Sequence, residues 1–231
     1  MIKKIWKKRR LFKYIIHSLY FNFHYLPFKQ AIKLPILLYK PDLLSTKGKI
    51  ILDCNDIKFG LIQIGFRTCS IYPNSGFVWE NLGGTIIFKG KCRIGNDSYL
   101  SIGEESTVIF GDDFRNSAGL KLASYRGIKF GTGTSIGWGV LIMDTNFHRL
   151  YDMKNKKYKR ASGPIEIGDY NWFGVGCKIM HSVITPERCI FGMNTVVTRN
   201  CEMKSYCVMG GNPVKILSEN VLRDYHDTEK I

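Results

Sequence analysis

Bulky apolar residues recur every six positions along most of this chain. Leu82, Phe88, Ile94 and Leu100 form one series, and Ile102 and Val108 a shifted one. Phe130, Ile136 and Ile142, then Ile167, Phe173 and Ile179, then Phe191, Val197 and Met203 continue it. Glycine follows the apolar residue at Gly95, Gly103, Gly131, Gly137, Gly168, Gly174 and Gly192. A small residue stands four positions after it at Cys92, Ser98, Ser106, Thr134, Val140, Cys177 and Thr195. A period of six suits neither the 3.6-residue helix nor the two-residue strand. It suits a chain that makes a short strand, turns a corner and repeats. The large side chain then points into a narrow prism, the small one fills space near the corner, and glycine permits the corner backbone. Strands stack in parallel and each coil buries its neighbour's face. The expected fold is an all-β solenoid over residues 51–217.

The ends depart from this pattern. Residues 1–50 carry twelve Lys and Arg against a single acid, Asp42, a balance of +11, whereas the rest of the chain holds 22 bases and 18 acids. Trp6, Phe12, Ile15, Ile16 and Leu19 fall near helical spacing until Pro27, Pro35 and Pro41 break it, so 1–50 reads as a basic, aromatic, largely helical segment. Residues 218–231 read as a short C-terminal helical tail. A basic arm points to an anionic surface. Lys and Arg interleaved with aromatics would suit nucleic acid, but no nucleic-acid fold motif accompanies them, and none is expected as a partner. Trp6, Phe12 and Tyr14 beside lysines suit peripheral contact with an anionic membrane through residues 1–26. A further reading has Leu11–Leu26 capping the open end of the prism, as repeat folds require.

No run of 18 apolar residues occurs, so no transmembrane helix is expected, and no small-residue cleavage site follows the basic start. The seven cysteines form no CxxC pair. A reduced, cytoplasmic chain, at most peripheral at the inner membrane face, explains them best. Cys92 and Cys177 read as small core fillers rather than redox groups.

Three local segments join the repeat: Met143-Asp144-Thr145-Asn146-Phe147-His148, Asn171-Trp172-Phe173-Gly174-Val175-Gly176, and Phe191 to Arg199 leading to Gly211-Asn212-Pro213-Val214-Lys215. With the hexad, they resemble the hexapeptide-repeat acyltransferases over about residues 60–217. Their order and spacing are similar to the maltose/galactoside acetyltransferase branch and to sugar O-acetyltransferases of polysaccharide loci. The resemblance implies a left-handed parallel β-helix and a homotrimer, with acetyl-CoA as co-substrate lying between two subunits and a sugar or glycan as acceptor. It implies a catalytic role for His148, on a loop extruded between coils. Trp172 and Gly174 would lie beside the site, and Val175 and Met193 would present their backbone to the pantetheine arm. Thr198 and Arg199 would stand near the nucleotide end and Lys215 near the phosphates. Arginine at 199, where the family has lysine, keeps the charge and permits a bidentate phosphate contact. Two features depart from the family and bear on the acceptor. Arg115-Asn116-Ser117-Ala118 stands in place of an asparagine-rich stretch, and the basic arm replaces an N-terminal helical domain.

Acyl transfer from a thioester needs a held donor, a deprotonated acceptor and a stabilised oxyanion. A neutral histidine accepts a hydroxyl proton near neutral pH. His148 lies in a break in the repeat, residues 143–166, which also holds Lys154, Lys156, Lys157, Lys159 and Arg160. Polar excursions of this kind commonly serve binding. Asp144 and Asn146 either hold the imidazole tautomer, touch the acceptor, or simply form the turn. Backbone N–H groups near Gly174 or Trp138-Gly139 could support the oxyanion. His181, the other histidine of the solenoid, reads as a structural surface residue, and with no ligand spacing no metal is expected. The competing functions are N-acetylation of an amino-sugar nucleotide and a non-catalytic trimeric scaffold.

Overall fold

The computed structural model describes residues 2–198 and 201–224, with side chains from Tyr14 onward. Three sheets of nine, seven and six strands are visited in rotation. Ile36–Leu38, Pro41–Thr46 and Lys49–Leu52 make the first coil, and Ile62–Phe66, Phe77–Asn81 and Thr85–Phe88 the second. Each strand of the first coil pairs in parallel with the one three places on, and the coils that follow repeat this, which produces a three-faced parallel solenoid. The faces are called first, second and third in the order the chain visits them.

Register turns the sequence period into columns. On the second face Trp79, Leu100, Leu122, Ile142, Ile179 and Val197 stand one above another. On the third, Leu52, Phe88, Phe110, Phe130 and Ile167 do the same. Neighbouring strands lie about 4.8 Å apart, so like side chains stack. The rings of Phe88, Phe110 and Phe130 follow at 5.2 and 5.3 Å, and Phe173 sits 4.5 Å from Phe191. All seven small residues of the hexad are buried. Burial raises the Cys92 thiol well above its ordinary pKa, as expected for a core filler. Leu82 and Met203 depart from the pattern: both are half-buried, and Trp79 takes the core register expected of Leu82.

The recurring glycines act differently from expectation. None of the seven has a positive φ; at the corners that conformation is adopted by residues such as Asp97, Asp113, Tyr170 and Asn194. Instead, a Cβ on Gly95 would lie 1.9 Å from the Ser117 carbonyl oxygen, and one on Gly174 2.9 Å from the Met193 nitrogen. These positions are glycine because successive coils touch there.

Both expected end regions are corrected. Helix α1 (Ile2–Tyr25) and the short α2 (Phe28–Ala31) are helical, but the first coil already occupies 36–52, so the solenoid begins well before residue 51. The strand Ile36–Leu38 has no coil above it, and α1 supplies its missing partners. Asn22 Nδ2 donates to the Ile36 carbonyl at 2.7 Å, Ile36 N–H donates to Asn22 Oδ1 at 3.1 Å, and Leu38 N–H donates to Ser18 Oγ at 2.9 Å. Phe21 packs edge-on to Trp79 at 5.1 Å. The second half of α1 therefore caps the prism. At the other end, Lys215–Glu219 is not helical: it pairs antiparallel with Cys207–Gly210 and covers the edge of the first-face sheet. Residues 220–224 form no helix, and 225–231 lie outside the described residues. Among the described residues, no helix is long and apolar enough to cross a membrane.

Candidate active site

The regular path breaks between Leu141–Met143 on the second face and Ile165–Ile167 on the third. The chain leaves at that edge, makes an antiparallel hairpin of Tyr151–Asp152 with Lys157–Tyr158, and returns. The base of the excursion is closed. Asn146 N–H donates to the Ala161 carbonyl at 2.7 Å and Gly163 N–H to that of Asp144 at 3.0 Å, beside a bridge between Thr145 and Ser162.

Asp144 is fully buried. Its carboxylate accepts the N–H groups of Tyr125, Arg126 and Gly127 at 2.7–2.8 Å and the Ser124 hydroxyl at 3.0 Å. A buried carboxylate needs such donors, and consecutive N–H groups at a corner form a ready anion nest. Of the readings open from sequence, the turn-forming one fits: Asp144 fastens the corner of the preceding coil and makes no bond to His148.

Beyond it the chain turns sharply. Phe147 has φ +60°, its N–H donates to Thr145 Oγ1 at 3.0 Å, and its ring meets Tyr125 edge-on at 5.2 Å. His148 N–H donates to the Asn146 carbonyl at 2.7 Å, and the imidazole is exposed. The Asn146 side-chain amide meets Nε2 of His181 at 3.2 Å, and His181 Nδ1 lies 3.2 Å from Ser182 Oγ. These contacts tie the His181 ring to the base of the loop and to the next residue along the coil. The expected surface position of His181 is corrected: it is only 9% exposed. Its proximity to the loop could have been read from its place just after Ile179, one coil beyond Ile142.

The other expected residues lie elsewhere on the prism. Trp172 points outward from the first face, alternating with buried Phe173, and the Arg223 guanidinium lies 4.4 Å over its ring. No sequence signal singled out Arg223. Gly174 and Val175 turn the edge from the first to the second face, and Met193 occupies the same place one coil on, with Asn194 N–H donating to the Val175 carbonyl at 2.8 Å. Val175 and Met193 are exposed, and among the described residues their own N–H groups have no acceptor. The Gly174 and Gly139 N–H groups, candidates for the oxyanion, are instead spent on the carbonyls of Phe191 at 2.7 Å and Ala118 at 3.2 Å. Lys215 is exposed opposite Gly210 at the C-terminal end of the same edge. Thr198 follows the last strand of the second face, its Oγ1 3.5 Å from Cys201 Sγ. Arg199 lies outside the described residues. Asn116 is buried and donates to the Gly137 carbonyl at 3.1 Å, so it serves the corner rather than an acceptor.

The set therefore divides. His148, Asn146 and Asp144 stand on the edge between the second and third faces. Trp172 stands on the first face, across the prism, and Val175, Met193 and Lys215 follow the edge beside it. No hydrogen bond or ring contact joins His148 to Trp172. Among the described residues, no three metal-ligating side chains converge.

No family model matches the sequence. The chain is 26% identical over 188 residues to an uncharacterised 24.8 kDa protein in the cps region of Klebsiella pneumoniae, covering 80% of this chain and 82% of that protein. It is 27% identical over 118 residues to the polysialic acid O-acetyltransferase of Escherichia coli O1:K1, covering 51% of this chain but only 38% of that protein. In structure it is similar to the polySia-specific acetyltransferase NeuO, with a TM-score of 0.54 and 19% identity over 83% of this chain and 92% of that one, a likeness of fold. In its hexad and its three-faced solenoid the chain is similar to the hexapeptide-repeat acetyltransferases, and part of its sequence is similar to a polysialic acid O-acetyltransferase.

Proposed function

We propose that this chain transfers the acetyl group of acetyl-CoA to a hydroxyl of a sugar or glycan, in a left-handed β-helix that works as a homotrimer. The observation that carries the reading is the division of the site. An exposed histidine stands on an extruded loop at one edge, and a donor-shaped edge lies elsewhere on the same prism. That second edge fits acetyl-CoA: the pantetheine arm is apolar with amide groups, and Val175 and Met193 offer exposed apolar side chains with unspent N–H groups. Lys215 at its end suits phosphate. Packing the loop edge of one copy against the donor edge of another brings the halves together.

In the reaction the His148 imidazole accepts the acceptor hydroxyl's proton as its oxygen bonds to the thioester carbonyl carbon. An unspent N–H on the donor edge, such as that of Val175, would meet the resulting oxyanion. Collapse breaks the C–S bond, and the imidazolium proton goes to the departing thiolate. Asn146, held by His181, positions the loop.

The test measures acceptor-dependent thiol release from acetyl-CoA. His148→Ala should lower the rate by about 10²–10⁴ with an unchanged melting curve; wild-type turnover in that variant would overturn the role of His148. An alkali-labile product supports O-transfer, and an alkali-stable one means N-acetylation. Failure to bind acetyl-CoA would favour the scaffold, and light scattering reads the trimer.

A further inference from the structure

We infer that the outer surface of α1 and α2 docks on an anionic lipid surface. This goes beyond the catalytic reading and does not depend on it. The inner side of α1 is occupied by capping: Ser18, Phe21 and Asn22 are buried against the first coil. The opposite side is apolar and open. Ile16 is 71% exposed and Phe28 70%, with Tyr20, Phe23 and Ile32 also exposed. Ile16, Tyr20 and Phe23 follow one another at four and three residues, a single stripe on a helix. Phe28 extends the stripe, its ring 6.0 Å from that of Phe23.

Charge decides the occupant. The first 33 residues contain nine Lys and Arg and no acid, and Lys29 and Lys33 flank the exposed Phe28 and Ile32. A second copy docked on this surface would set the exposed Lys29 and Lys33 against like charges. An anionic headgroup layer accepts both the aromatic stripe and the surrounding cations. With no helix able to cross a membrane among the described residues, this segment lies on the surface. Docking there would orient the solenoid by its capped end. The extruded loop leaves the prism from the coil whose first-face strand is Ser135–Ile136, four strand steps from Ile36–Leu38, or about 19 Å along the axis.

The experiment is flotation of the full chain with vesicles of phosphatidylcholine alone and of phosphatidylcholine with about one third phosphatidylglycerol. The chain should float with the second and not the first. The combined variant Ile16→Ser, Phe23→Ser, Phe28→Ser, all at exposed positions, should keep its melting temperature and bind at least about tenfold more weakly. Lys29→Ala with Lys33→Ala should weaken binding roughly 25-fold, about fivefold per charge. Absence of flotation with anionic vesicles would overturn the inference, as would wild-type binding by the serine variant. A self-associated wild type that the serine variant dissociates would also overturn it, by making this surface an interface between copies.

Discussion

The side-chain amide of Asn146 meets Nε2 of His181 across 3.2 Å, so the loop that presents His148 is tied to the following coil by a nearly buried imidazole. His181→Ala removes this partner and leaves the amide beside a small void. We expect a stability loss of about 1–3 kcal/mol, which for a chain of this size lowers the melting temperature by roughly 2–10 °C. Activity at low temperature should fall less than in His148→Ala. Calorimetry beside the thiol-release assay checks it, and a loss of rate equal to that of His148→Ala would make His181 a participant in the chemistry.

Asp144 anchors the same loop from the opposite side. Asp144→Ala leaves three corner N–H groups and the Ser124 hydroxyl without their buried acceptor, so it should cost about 3–5 kcal/mol and lower the melting temperature by roughly 10 °C or more. The defect should centre on the corner at 125–127, read by faster amide exchange at Tyr125, Arg126 and Gly127. Unchanged exchange there would contradict the anchoring role.

Met193 lies on the proposed donor edge and is 71% exposed, so the fold tolerates a polar replacement. Met193→Glu places a carboxylate along the path of an arm that ends in phosphates. The KM for acetyl-CoA should rise about tenfold or more, equivalent to roughly 1.4 kcal/mol, with an unchanged melting temperature. An unaltered KM would move the donor off this edge.

The helical cap carries a pH signature. Burial raises the Tyr25 phenol to about 12, opposed by the hydrogen bond from the Trp79 indole at 3.3 Å and reinforced slightly by Tyr20. In the unfolded chain the phenol ionises near 10. Below that pH both states are neutral and the full stability is present. As pH rises from 10 to 12 the unfolded state ionises first, so stability declines through the folded-state value. Melting curves of wild type and Tyr25→Phe over this range should converge or cross, with the variant's dependence the shallower; parallel curves would refute the assignment.

Much of this was legible in the chain. Spacing alone gave the buried columns, since Phe88, Phe130, Phe173 and Phe191 each fall inside, and the small residues between them fill the interior as Cys92 and Cys177 do. The break at 143–166 was legible because it interrupts an otherwise regular period. The first coil was not: Pro35 and Pro41 read as breakers, yet Pro41 begins an edge strand whose partners lie on one side only. Nor was the C-terminal strand, because an antiparallel return satisfies a sheet edge that exists only once the solenoid has formed.

A repeating local preference is a property of neighbours along the chain, so the sequence by itself determined the three-faced solenoid, its core and the position of its excursion. Which face each polar residue occupies depends on how many corners separate it from the next, and that only the folded coils decide. They sent Asp144 inward to an N–H nest, buried His181 against Asn146, laid Arg223 over Trp172 and set His148 across the prism from that tryptophan.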